Sequence, residues 1–183
     1  MQSFTKITLP VIQTIDRFTS FSVYAVMILV APMILANVVE VFMRYVMDSP
    51  TTWAADVTVM TYGSLFMLGS SYAMLVGAHV RTDIFFSDFS ERTKGIIDSI
   101  SYLLLFLPVM AFIFVISTNN FIYAYSIGER STMSLWRPIV WPFRGVIPLA
   151  ALLMFVQGIS ELLKALYAAT TGKELVHREK VEI

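Results

Sequence analysis

RYVMDSPTTWAAD, residues 44–56, packs an arginine, two aspartates, a proline and a tryptophan into thirteen positions. The residues before it, back to Phe21, and after it, on to Val76, could lie in hydrocarbon. A short polar break between two long apolar runs reads as a surface turn between two membrane-spanning helices. A helix needs roughly 20 mostly apolar residues to cross a hydrocarbon core of about 30 Å. Four stretches meet that length: about 21–43, 53–76, 95–118 and 143–166. With no water in the lipid core, each must satisfy its backbone internally, which makes them helices. The expected fold is an all-α integral membrane protein with four transmembrane helices. Residues 1–20 form an N-terminal segment, 21–166 the membrane domain and 167–183 a tail.

Composition agrees. Of 183 residues, 57% are hydrophobic and 14% charged, against about a quarter charged in soluble domains. Mean hydropathy is +0.72. The formal net charge is zero, and no basic stripe exists to neutralise phosphates, so nucleic acid is not a partner. Cysteine is absent, which excludes disulfides, zinc–thiolate sites and cysteine nucleophiles. The apolar run from Phe21 is too long for a signal peptide and follows some twenty residues of chain. The segment SFTKITLPVIQTIDRF, residues 3–18, reads either as a short helix in the interface or as a frayed tail.

Four spans put both termini on one side. That side would hold nine of the thirteen Lys and Arg: Lys6, Arg17, Arg81, Arg92, Lys94, Lys164, Lys173, Arg178 and Lys180. The other would hold Arg44, Arg130, Arg137 and Arg144. The positive-inside rule places both termini in the cytoplasm. Residues 44–56 and about 119–142 then face out.

Ionisable groups inside a membrane suggest function by default, but depth argues otherwise here. Glu40, Asp56, Asp98 and Glu161 all lie near span ends. Glu40 is four residues before Arg44 and Glu161 three before Lys164, both helical pairing distances. Asp56 and Asp98 fall in the first turns of their expected helices, where the dipole favours an anion. End-anchoring is the leading reading, with a partner contact or ion site as the other. Pro32 and Pro108 are placed to kink their helices. Gly69, Ala73 and Gly77, spaced by four, would line one face and admit a close helix partner, although small residues are common in membrane helices in any case.

No catalytic constellation assembles. The two histidines, His79 and His177, sit past the second span and in the tail, whereas a membrane haem needs them on the spans. There is no HExxH, nucleotide loop or GxSxG. No cofactor or metal site is expected. The loop of residues 77–95, with His79, Arg81 and Asp83, reads first as a headgroup-level belt touching lipid. Residues 126–145 are aromatic and cationic, with Trp136, Trp141, Pro138 and Pro142. They are expected to lie along the outer interface, with Pro142 near the start of the fourth helix.

The runs RYVMDSPTTWAADV, LGSSYAMLVGAHVRTDIF, GERS and WPFRGVIP, followed by Gln157 and Glu161, resemble the small DctQ-type membrane subunit of tripartite ATP-independent periplasmic (TRAP) transporters. The resemblance covers about residues 35–165. Its motif positions include Arg44, Tyr45, Trp53, Asp56, Gly69, His79, Arg81, Asp83, Trp141 and Pro142. The family commonly has a glutamate where this chain has Asp56. The resemblance implies a bacterial inner-membrane subunit that packs on the scaffold of a large M-type subunit. That larger chain would carry the sodium and substrate sites. A periplasmic substrate-binding protein would deliver an organic acid of dicarboxylate type, and the small subunit would offer part of the docking face.

In that setting residues 44–56 form the outer turn. Ser49 and Pro50 suit the cap and first position of the second helix, Trp53 anchors at headgroup level, and Arg44 is expected to pair with Asp56. Glu129, Arg130, Trp136 and Arg137 are expected to help receive the binding protein. Two other readings stand beside this one. A self-sufficient homo-oligomeric transporter or channel would rely on polar residues such as Asn37, Thr58, Thr61, Ser64, Ser70, Ser71 and Gln157. A membrane enzyme or cytochrome subunit would need histidines on its spans.

Overall fold

The computed structural model describes residues 2–77 and 89–172. The helices are α1 (Gln2–Met27), α2 (Val30–Tyr45), α3 (Ala54–Leu75), α4 (Glu91–Ser101), α5 (Leu107–Ser126) and α6 (Trp141–Thr171), with a π-helical turn, Tyr102–Phe106, joining α4 to α5. No strand occurs among the described residues. One isolated bridge links Arg130 to Ile139.

Three helical stretches among the described residues are long and apolar enough to cross a membrane: Thr8–Tyr45, Glu91–Ser126 and Trp141–Thr171. They contain the first, third and fourth expected spans. The second is helical as well. The 22 residues of α3 reach about 33 Å, but Thr58, Thr61, Ser64, Ser70 and Ser71 dilute its hydropathy. Three of these hydroxyls donate back to their own helix: Thr61 to Val57 O (2.6 Å), Ser64 to Met60 O (2.7 Å) and Ser70 to Met67 O (2.6 Å). Each such donor is satisfied without water or a partner.

The breaks in the helices have local causes. α1 runs unbroken past Phe21, and the chain bends only at residues 28–29. Pro32 has no N–H to give Ile28 O, and its ring crowds that carbonyl. Ala31 N takes Ile28 O instead, at 3.3 Å. Pro108 does the same to Leu104, and the π-helical turn just before it absorbs the missing bond. α3 begins at Ala54, not at Pro50 as expected. Residues 46–53 stay non-helical because Thr51 is bound elsewhere and Asp48 adopts φ +50°. α4 begins at Glu91, with the Ser90 hydroxyl accepting from Thr93 N. Asp98 is therefore in its third turn rather than its first.

The interior is inverted relative to a soluble protein. Among the described residues six of the nine buried hydrophobics are alanines, while the buried polar residues include Thr19, Asp56, Ser71, Gln157, Ser160 and Glu161. Large apolar side chains such as Leu104, Leu105 and Phe112 point outward. Small residues let helices approach, and polar groups bond between them, when the surroundings are as apolar as the core. No buried side-chain polar atom lacks a partner among the described residues.

The chain divides into two compact units. One comprises residues 1–20, 71–112 and 151–183, and the other 21–70 and 113–150. In the first, α4 passes close to α6 at Gly95. A Cβ there would lie 2.8 Å from Ala165 O. Arg92 Nε donates to Ala169 O at 3.2 Å along the same contact. In the second, Trp141 stacks edge-on against Tyr125, ring centroids 5.2 Å apart.

Candidate functional site

Polar side chains gather in each unit, and their bonding shows what they are committed to. In the unit of residues 21–70 and 113–150, the turn of residues 46–53 is tied to α2 through Glu40. Thr51 N donates to Glu40 Oε2 at 2.9 Å, and the Thr51 hydroxyl donates to the same oxygen. Arg44 Nε donates to Glu40 Oε1 at 2.9 Å. One carboxylate thus holds both the turn and the arginine one helical turn away.

Asp56 has a different role. It is 1% exposed. It lies in the first turn of α3, where the helix dipole favours its charge. Ser131 Oγ donates to Oδ1 at 2.8 Å, and the Ser134 hydroxyl donates to Oδ2. The expected Arg44–Asp56 pair is therefore not formed. Arg44 takes the carboxylate on its own helix face, and Asp56 is filled by two serines from the loop between α5 and α6.

That loop is a small closed structure. Ser131 N donates to Pro138 O at 2.8 Å and Val140 N to Glu129 O at 3.0 Å. Gly128 and Arg137 supply positive φ, +59° and +48°. Arg144 Nη2 meets Glu129 Oε1 at 2.5 Å, so Glu129 is used to fasten the loop to α6. Arg130 Nη1 donates to Arg137 O at 3.3 Å. Neither Arg130 nor Arg137 has an acidic partner among the described residues. Both arginines and Trp136 line a groove of about 630 Å³. Its floor is a face of α3 (Val57, Met60, Thr61, Ser64) with Phe143 and Val146 of α6.

In the other unit a polar network joins α1 to α6. Thr19 Oγ1 donates to Gln157 Oε1 at 2.8 Å. Gln157 Nε2 donates to Asp16 Oδ1 at 3.1 Å and to Glu161 Oε1 at 3.3 Å. Ser160 Oγ donates to Asp16 Oδ1 at 2.8 Å. Lys164 Nζ pairs with Asp16 Oδ2 at 2.8 Å and Glu161 Oε1 at 2.9 Å. Gln157 and Ser160 are fully buried. The Glu161–Lys164 pair was expected from spacing. Its extension to Asp16 and Thr19 was not, since those residues lie about 140 positions away in the chain.

Tyr45 is exposed and Trp53 half-buried. Pro142 is the second residue of α6, where its missing N–H costs nothing. Among the described residues nothing lies within 4 Å of where a Cβ on Gly69 would sit, so no close helix contact is made at that position. Gly77 lies beyond the end of α3 at φ +73°. It donates its N–H to Met74 O and acts as a helix stop rather than the third member of a stripe with Gly69 and Ala73. Among the described residues Gly95 is instead the glycine set against another helix's backbone. His79, Arg81 and Asp83 lie outside the described residues.

Compared with known proteins, residues 33–167 match the family model described as tripartite ATP-independent periplasmic transporters, DctQ component. No curated protein and no solved structure matches the chain.

Proposed function

The chain belongs to the DctQ family, the small membrane subunits of tripartite ATP-independent periplasmic transporters, and we propose that it works there as a non-catalytic permease subunit. The family match over residues 33–167 carries this reading. The state of the buried carboxylates supports it. Asp56 is occupied by Ser131 and Ser134, and Glu161 by Gln157 and Lys164. Asp56 ties α3 to the loop, and Glu161 orients Gln157 and Lys164, which reach across to Thr19 and Asp16 of α1, as a scaffold requires.

In the proposed arrangement α3 joins the three longer stretches as a fourth span of the bacterial inner membrane. Both termini face the cytoplasm, in keeping with the distribution of Lys and Arg. The chain packs on the scaffold of a large M-type subunit and enlarges it. The large subunit moves an organic acid of dicarboxylate type with sodium, delivered by a periplasmic binding protein. The exposed apolar surface of α2 and α5 meets lipid or the large subunit. The loop between α5 and α6 contributes to the docking face. Trp136 is exposed on it, Leu135 at its tip is 90% exposed, and Glu129 gives it shape through Arg144.

Two experiments test this. The natural chain has no cysteine, so single cysteines report topology directly. Ser49→Cys and Thr132→Cys should react with an impermeant maleimide from outside, and Thr171→Cys only after permeabilisation. Deleting the chain should abolish binding-protein-dependent uptake in cells that keep the other two components. Labelling of Ser49→Cys only from the cytoplasm would overturn the topology. Undiminished uptake would overturn the role.

A further inference from the structure

We propose that the groove beneath the α5–α6 loop holds an anionic phospholipid, its phosphate between Arg130 and Arg137 and an acyl chain along α3. This rests on the chain lying in a membrane, not on its having a large partner subunit.

Four arginines belong to this unit. Arg44 is neutralised by Glu40 and Arg144 by Glu129. Arg130 and Arg137 line the same groove without a carboxylate among the described residues. Two guanidiniums that line one groove make it attractive to an anion, and phosphate suits their donor geometry. They are held by the loop rather than by chance. Arg130 donates to Arg137 O, and the bonds from Ser131 N and Val140 N keep Arg137 at φ +48°, a conformation that side chains with a Cβ avoid.

The floor points to hydrocarbon. Val57, Met60, Phe143 and Val146 are apolar. The hydroxyls of Thr61 and Ser64 are already given to Val57 O and Met60 O, so the floor keeps no free donor for a polar ligand. From Val57 to Ser64 the floor follows α3 for about 10 Å, away from the arginines. A soluble protein would meet the arginines but not this length of apolar floor. A phospholipid matches both, and Trp136 beside the arginines suits headgroup depth.

The test is native mass spectrometry of the full chain, purified alone and with its large subunit in mild detergent. Phosphatidylglycerol and phosphatidylethanolamine of identical acyl chains are titrated, with glycerophosphoglycerol as the chainless headgroup. One phosphatidylglycerol should bind in preference to phosphatidylethanolamine, and glycerophosphoglycerol should not displace it. R130Q/R137Q should weaken binding about thirtyfold, R130K/R137K, which keeps the charge but not the fork, should weaken it less, and R44Q should not change it. Val57→Phe, which narrows the groove and keeps both arginines, should also weaken it. If R130Q/R137Q fails to fold, the headgroup comparison on the natural chain and Val57→Phe still decide. The proposal is overturned if R130Q/R137Q binds phosphatidylglycerol normally. It is also overturned if glycerophosphoglycerol competes as well as the lipid, or if the chain loses the lipid on joining its large subunit, because a protein segment then fills the groove. Capture of the large subunit is read in the same spectra, so failure of the lipid site is separable from failure of the assembly.

Discussion

Removing the carboxylate of Asp56 should release the loop between α5 and α6 while leaving the helices in place. The group is buried and accepts from Ser131 and Ser134 at the start of α3. A hydrogen bond to a charged group contributes about 1.5–3 kcal/mol, and an anion in a first helical turn about 0.3–1 kcal/mol. Part of the sum is offset because burying the carboxylate is itself costly. Asp56→Ala should therefore destabilise by about 2–4 kcal/mol. Asp56→Asn, which can still accept one bond, should cost about half as much. The sharper quantity is coupling. A double-mutant cycle between Asp56→Ala and Ser131→Ala should give about 1–2 kcal/mol, while Asp56→Ala with Arg44→Ala should add to within about 0.5 kcal/mol. Unfolding in mixed micelles, followed by tryptophan fluorescence, measures both. Hydrogen exchange should show faster exchange at Ser131 and Val140, whose N–H groups close the loop. Coupling above about 1 kcal/mol between Arg44 and Asp56, or unchanged loop exchange in Asp56→Ala, would refute the assignment.

Gly95→Ala should lower stability by about 1–3 kcal/mol, because its Cβ would press on Ala165 O at 2.8 Å. Gly69→Ala meets open space and should be neutral or stabilising by up to about 1 kcal/mol; thermal unfolding in detergent separates the two. Lys164→Met leaves Asp16 and Glu161 without their shared cation and should cost about 3–5 kcal/mol, with crosslinking between cysteines placed on α1 and α6 reporting loss of that contact. Asp48→Gly relieves a positive φ in an exposed turn and should raise stability by about 1 kcal/mol, read as a small upward shift of the melting temperature.

What the sequence made legible follows from which interactions are local. The apolar runs announced helices because length and hydropathy alone decide them, and α3 was found despite its hydroxyls, which satisfy themselves within the helix. Pairs at three or four residues, Glu40 with Arg44 and Glu161 with Lys164, were readable for the same reason. Arg44 and Asp56 showed the limit. Placement on one side of the membrane allowed several partners, and the carboxylate on the same helix face took the arginine. Ser131 and Ser134 looked like ordinary loop residues, and nothing local marks them as partners of a residue about 75 positions earlier. Likewise Gln157 was visible as a polar residue in a span, but its bonds to Asp16 and Thr19 depend on how α1 meets α6. The small-residue stripe misled because spacing assumes a continuous helix, and α3 stops at Leu75, before Gly77.

The most direct measurement is affinity purification of the tagged chain from its native membranes in mild detergent, followed by quantitative mass spectrometry. A large multispan membrane protein recovered in equal amount is the expected result for a small subunit packed on a transporter scaffold. Recovery of the chain alone, as a homo-oligomer, would contradict the accessory role and favour a transporter or channel built from this chain.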